Sequence, residues 1–312
     1  MSPVGLGCCV PERYVGVLGA TSLVGHALLP LLSEMNIEVA AFSRQPKDNI
    51  TESGLEGNVA WCQLKQPFDD VSQYKSQTSH QQQIKDWICL APIWVLPDYF
   101  DWLKSLGVKR IVALSSTTRF TKVNSEDPSE TAIVKKLVEG EENLIQWATE
   151  HEVEWIILRP TLIYGGGKDK NISVITRFVR RFGFFPIFGK GEGYRQPIHV
   201  YDVATACYQA LNQHSVSNQA YNISGGEKLT YREMVTRVFT ALGKEPRIVT
   251  LPLPVLKMGL AVMKVIPKYR GLSSAMITRM SQDMVFEHDT ATRDFGFSPR
   301  PFELKEDDLP TR

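Results

Sequence analysis

Between residues 14 and 158, short apolar runs rich in β-branched residues alternate with stretches of helical periodicity, and this alternation constrains the fold more than any other feature of the chain. Residues 14–18 read as a buried strand, because the run is too short for a helix and ends at a glycine turn. Residues 23–32 read as a helix, and residues 38–42, 59–62, 86–90, 109–114 and 154–158 as further strands. Helical patterns fall at about 97–106 and 130–150. Such a repeat implies parallel βαβ crossovers and a sheet covered on both faces. The expected fold class is α/β, a Rossmann-type doubly wound parallel sheet.

After Arg159 and Pro160 the pattern changes to glycine-rich loops, 165–167 and 189–193, around a helix that carries Arg177, Arg180 and Arg181. A smaller C-terminal lobe is expected to begin there. Residues 220–224 read as a strand that returns to the main sheet, followed by a helix over 230–242. The expected division is a main-sheet lobe over 13–163, completed by a strand at about 219–224, and a smaller lobe mainly over 164–218 and 225–312.

Composition narrows the function classes. The 312 residues hold 35 Lys+Arg against 34 Asp+Glu, so a net charge of +1 gives no global field for nucleic acid or a membrane surface. Residues 1–160 carry 14 basic and 20 acidic residues, leaving 21 and 14 for the remainder. An anionic ligand is therefore expected in the second half. The five cysteines form no CxxC pair and the six histidines no i,i+4 pair, so neither a disulfide framework nor a metal site is expected. The first fourteen residues lack the basic and apolar regions of a secretory signal, and a cytoplasmic location is expected. The longest apolar stretch, 251–266, contains two prolines, Lys257 and Lys264; it is too short and broken to span a bilayer and reads as a loop and a packed helix. Residues 73–83 form a polar tract that reads as a solvated connection.

The first strand runs into Gly19-Ala20-Thr21-Ser22-Leu23-Val24-Gly25. A glycine-spaced turn between strand and helix lets backbone N–H groups and the positive helix end meet a pyrophosphate. Gly19 would make the tight turn and Gly25 would let the helix pack on the sheet. Ser22 stands where the usual middle glycine would be; its Cβ narrows the approach, while its hydroxyl could donate to a phosphate. About twenty residues on, where an acidic residue normally binds the ribose hydroxyl, the chain reads Phe42-Ser43-Arg44. A serine and a guanidinium suit a 2′-phosphate, so NADP(H) is favoured over NAD(H). The alternative is a surface arginine after a strand.

With GATSLVG after the first strand, LSSTTRF after the fifth, LRPTLIYG after the sixth and the later GKGEGYRQPIHVYDVA, the chain resembles the extended or atypical short-chain dehydrogenase/reductases. It is most similar to the NAD-dependent epimerase/dehydratase group that acts on nucleotide sugars. The resemblance implies a cofactor set of Gly19, Thr21, Ser22, Leu23, Gly25, Ser43, Arg44, Ala91 and Pro160. It implies a substrate-polarising hydroxyl at Ser116, with Ser115 and Thr117 as register alternatives. The family's Tyr-x-x-x-Lys is missing, since no tyrosine occurs between Tyr99 and Tyr164. Thr131 and Lys135 match one register; Ile133 and Leu137 match another, which leaves Lys135 a solvated helix residue. A phenol beside a lysine can exchange a proton near neutral pH, which a threonine hydroxyl cannot. Lys122 could substitute as proton carrier or be a solvated loop lysine.

Leu162 stands where the family carries an asparagine. The resemblance further places Asn171, Arg195 and Arg279 on a substrate diphosphate, the alternatives being that Arg195 anchors its loop and that Arg279 pairs with Asp283 at i+4 on a helix. Asp202 reads as a structural N-cap. Two functions follow from the resemblance. One is an NAD(P)-dependent oxidoreductase or epimerase of a nucleotide-linked sugar, working without the usual tyrosine. The other is a catalytically silent NADP(H)-binding sensor, assembly factor or accessory subunit. A monomer or homodimer is expected, with no metal, nucleic-acid partner or transmembrane segment.

Overall fold

The computed structural model describes residues 14–45, 58–64, 83–125, 127–251 and 279–311. The polar tract over 73–82, the apolar stretch beyond residue 251 and residue 13 lie outside them. Strands β1 (Tyr14–Leu18), β2 (Glu38–Ser43), β3 (Val59–Gln63), β4 (Asp86–Cys89), β5 (Arg110–Leu114) and β6 (Glu154–Pro160) come first, followed by the short β7 (Ile163–Tyr164), β8 (Phe185–Phe188), β9 (Tyr194–Arg195) and β10 (Ile198–His199). Then come β11 (Gln219–Ile223), β12 (Leu229–Thr230) and β13 (Ile248–Leu251). The main sheet has seven strands in the order β11-β6-β5-β4-β1-β2-β3, every pair parallel. This is the expected doubly wound α/β sheet, and its order reverses between β1 and β4, where such sheets form a ligand crevice.

Alternation along the strands sends side chains to two cores. Val15, Val17, Val39, Ala41, Val112 and Ile156 pack under α1 (Leu23–Glu34). Ala40, Phe42, Trp87, Ile111 and Ile157 pack on the opposite face under α2 (Phe100–Ser105). The helical pattern at 97–106 is realised as a 3-10 segment, Ile93–Tyr99, followed by α2, because Pro97 has no N–H for an α-helical bond. After the short α3 (Thr118–Thr121), the long α4 (Pro128–Glu150) starts with Asp127 Oδ1 accepting from Ser129 N at 2.9 Å and a proline in the first turn.

The second half contributes α5 (Ile172–Phe182), α6 (Val200–Asn212), α7 (Tyr231–Ala241) and α8 (Asp289–Phe295). Ile172, Ile175, Val179, Phe185, Met234, Val238 and Phe239 form a separate core. α6 packs on the main sheet, covering the same face as α1. His199, not Asp202, caps α6: its Nδ1 accepts from Tyr201 N at 3.2 Å. Asp202 instead receives Arg300 through N at 3.0 Å and Nε at 2.8 Å. The imidazole reaches the cap because it precedes the helix, whereas Asp202 already lies in the first turn.

Arg110, at the start of β5 and 2% exposed, receives the C-terminal end of α6. Its Nε donates to Leu211 O at 3.0 Å, and its Nη2 to Ala210 O, Gln213 O and Val216 O at 2.7–2.9 Å. Glu154 pairs with Nη1. A cation here meets the orphan carbonyls and the negative end of the helix together. Replacing Arg110 by Met should therefore cost about 3–5 kcal/mol, since several buried carbonyls lose their donor at once. Urea unfolding should show a lower midpoint with an unchanged slope.

Candidate functional site

The turn after β1 takes the shape its sequence predicts. Gly19 has φ +85°, and a Cβ there would lie 2.6 Å from Ala91 N; a Cβ at Gly25 would lie 2.1 Å from Ala20 O. Only glycine permits the left-handed turn at the first position and the close approach of α1 at the second. Ser22 caps α1, its Oγ accepting from Gly25 N at 3.1 Å. The positive end of α1 is thereby directed at the crevice between β1 and β4.

Two cavities open at this turn. The first, about 210 Å³, is lined by Gly19, Thr21, Ser22, Ser43, Arg44, Ala91 and, deeper, Leu64, Val95 and Tyr99. Ser43 is buried and shares a 2.7 Å hydrogen bond with Thr21 Oγ1, while its oxygen accepts from Gln45 N at 3.0 Å. Arg44 is exposed at the rim. Burial raises the Tyr99 phenol, and the charge of Arg44 opposes that rise, which places the guanidinium within electrostatic reach of the cavity. A polar turn at a helix N-terminus, an apolar slot and an exposed cation at the rim suit the phosphates, adenine and 2′-phosphate of a dinucleotide. Pro160 stands apart from this cavity, at the end of β6, where its carbonyl accepts from Thr117 Oγ1 at 3.1 Å.

The second cavity, about 540 Å³, begins at Leu23. Ser116, Lys122, Asn171 and Arg195 all line it, so four side chains singled out in the sequence share one space. Three of them, Ser116, Lys122 and Arg195, have protein partners already. Ser116 Oγ donates to Thr118 Oγ1 at 2.9 Å and accepts from Thr118 N at 3.1 Å. Lys122 Nζ pairs with Glu130 at 3.1 Å. Arg195 is 5% exposed; its Nη1 donates to Tyr194 O at 2.8 Å and Gln282 O at 2.7 Å, and its guanidinium lies over the Tyr231 ring. Thus Arg195 anchors its loop while forming part of the cavity wall. Asn171 precedes α5, but the buried Asp169 occupies that helix end, accepting from Asn171 N, Ser173 N and Ser173 Oγ.

Arg279 opens a 3-10 turn, Arg279–Ser281, and the proposed contact of its side chain lies outside the described residues. The alternative i+4 helical pair with Asp283 has no helix to support it. Asp283 Oδ1 accepts from Tyr194 N at 2.8 Å. Lys135 is a solvated residue paired with Glu139 at 3.6 Å.

Several site residues had no signal in the sequence. Tyr231 places a phenol in the second cavity, with its pKa pushed up to about 12 by burial. Lys168 and Lys170 add charge, and Met280, Met284 and Phe286 complete an apolar wall with Leu162, the residue in the family's asparagine position. Beside Ser116 in the chain, Ser115 Oγ donates at 2.5 Å to Glu141 of α4, which is 1% exposed, accepts from Arg159 Nε at 3.1 Å and pairs with Arg119. The capping box of Thr230 and Glu233 is readable as a helix start, yet only the folded chain brings Tyr231 to the cavity.

This sheet and crevice define a Rossmann-type protein. Residues 98–224 match the model of the NAD dependent epimerase/dehydratase family. It is 32% identical over 105 residues to NADH dehydrogenase [ubiquinone] 1 alpha subcomplex subunit 9, mitochondrial, of Arabidopsis thaliana, covering 33% of this chain and 26% of that protein. It is 26% identical over 163 residues to UDP-glucose 4-epimerase of Vibrio cholerae, covering 48% of each. The chain thus spans between about a quarter and a half of these curated relatives. Among solved structures, UDP-glucuronic acid 4-epimerase from Bacillus cereus in complex with UDP-glucuronic acid and NAD has a TM-score of 0.69 at 15% identity, covering 92% of this chain and 94% of that one. UDP-glucose 4-epimerase with UDP-glucose from Thermotoga maritima gives 0.67 at 17% identity, with the same coverages. These likenesses establish the fold.

Glu141→Gln should destabilise the protein by about 3–5 kcal/mol, because Arg119 and Arg159 would lose the charge that compensates their partial burial. Equilibrium unfolding in urea measures the difference.

Proposed function

We propose that the protein is an NAD(P)-dependent oxidoreductase or epimerase-like protein that acts on a nucleotide-linked sugar, with NADP(H) favoured over NAD(H). The observation that carries this reading is the meeting of the two cavities at the glycine turn, with Ser22 lining one and Leu23 the other. Gly19, Thr21, Ser22, Leu23, Gly25 and Ala91 hold the dinucleotide, Ser43 and Arg44 its 2′-phosphate, and Pro160 supports the nicotinamide end. The structural neighbours whose names include UDP-sugars support the substrate class. Lys168, Lys170 and Arg195 supply positive charge for a diphosphate, with Asn171 and Arg279 beside it. We place the protein in the cytoplasm as a monomer or homodimer, its dinucleotide-binding lobe over 13–163 and the substrate lobe mainly over 164–218 and 225–312.

The cofactor supplies hydride chemistry when bound. Ser116, at the end of β5, orients the substrate oxygen once its hydroxyl turns from Thr118. Lys122 carries the proton after separating from Glu130. Both rearrangements cost energy that a tyrosine beside a lysine would not, and general acid–base help is worth about 10²–10⁴-fold. Turnover with ordinary sugar nucleotides is therefore slow or absent.

A second reading is a catalytically silent NADP(H)-binding sensor, assembly factor or accessory subunit. The pairing of Lys122 with Glu130 and of Ser116 with Thr118 favours it, as does the resemblance to a protein named as an NADH dehydrogenase subunit. Thermal unfolding separates the two. NADPH should raise Tm by mass action under both, and UDP-glucose added to the NADPH complex should raise it further only under the first. Under that reading Ser116→Ala should lower the slow rate by about tenfold or more without changing the Kd for NADPH.

Cofactor choice is tested separately. Arg44→Asp should weaken NADPH by roughly ten- to hundredfold, the worth of a charge-assisted hydrogen bond, and strengthen NADH. Equal affinities for both cofactors before and after the change would remove Arg44 from the site.

A further inference from the structure

The outer face of α5 carries a patch that neither cavity uses. α5 buries Ile172, Ile175 and Val179 and turns Val174, Arg177, Arg181 and Phe182 outward. Phe182 is 45% exposed and Phe184 37%. Both rings rest on Phe178, with centroids at 4.6 and 5.7 Å, so they are held outward on an aromatic base. The guanidinium of Arg181 lies 5.3 Å from the Phe182 ring centre. β13 runs beside β8, pairing the exposed Val249 with Pro186. Arg247 O accepts from Phe185 N at 2.9 Å, which brings another exposed arginine to the same edge. Arg180 is an internal tie, its Nη1 bonded to Pro310 O, and Glu245 is an exposed acidic group on the connection leading to β13.

We propose that this patch docks on an anionic phospholipid surface. Aromatic tips ringed by arginines match a headgroup region, where the rings enter the acyl boundary and the guanidiniums meet phosphates. The patch presents a few apolar side chains, whereas a stable protein interface takes about 20–30 residues a side. Past β13 the sequence continues into its longest apolar stretch, in which Lys257 and Lys264 again stand among apolar residues. No described helix is long and apolar enough to cross a membrane.

The test is flotation of the full chain with phosphatidylcholine vesicles, with and without phosphatidylserine. The protein should float with the serine-containing vesicles only, and high ionic strength should release it. Phe182→Ala with Phe184→Ala, and separately Arg177→Glu with Arg181→Glu, should each lower binding roughly tenfold or more, as expected for losing inserted rings or surface charges. Absence of binding to the anionic vesicles overturns the proposal, as does retention of binding by either double variant. A dimer in solution that the Phe182 and Phe184 changes dissociate would assign the patch to a second copy of the chain instead.

Discussion

Glu141 is a carboxylate with almost no access to water, and it holds the residue that precedes Ser116 of the second cavity. A buried charge is tolerable only when paired and hydrogen-bonded. Here Ser115 at the end of β5, Arg119 of α3 and Arg159 of β6 all converge on one side chain of α4. The hydrogen bonds fix the relative positions of four elements, and Ser116 follows the pinned Ser115. Phe120 closes the arrangement from outside, with Arg119 and Arg159 over its ring and Phe286 beside it. A short polar network thus does what continuous apolar packing does elsewhere in the sheet.

The two cavities differ in how far the protein satisfies its own polar groups. Around the first, Arg44 stays exposed and the glycine turn leaves the end of α1 accessible. Around the second, Ser116, Lys122 and Arg195 all hold protein partners, and Asp169 fills the end of α5. Any ligand there must compete with bonds already formed, and each exchange returns only the difference between two hydrogen-bonding arrangements. The first cavity is therefore better prepared to receive a ligand than the second is to act on one.

The basic excess of the second half, suggestive of an anionic ligand, is divided in the folded protein among unrelated tasks. Arg180, Arg195, Arg237 and Arg300 join segments to one another through Pro310 O, Gln282 O, Glu227 and Asp202. Arg177, Arg181 and Arg247 face outward. Net charge counts residues and cannot register whether a guanidinium is consumed by a carbonyl or presented to solvent.

The strand and helix alternation, the glycine turn and the reversal of sheet order all rest on local causes: apolar periodicity, backbone torsion and the limits on parallel crossovers. They were legible in the sequence, as was the solvated Lys135. The break at Pro97 between the 3-10 segment and α2 has an equally local cause. The cap of α6 was not legible, because His199 and Asp202 are both plausible hydrogen-bonding residues and only the approach of Arg300, ninety-eight residues away, decides which one is engaged elsewhere. The Glu141 network, the Tyr231 phenol and the apolar wall of Met280, Met284 and Phe286 joined segments far apart in the chain. The sequence determined by itself which segments become strands, helices and tight turns, since each depends on neighbours within a few residues. Which polar groups meet a ligand and which meet each other was decided by the tertiary structure, because hydrogen bonding and desolvation depend on distances that only packing sets.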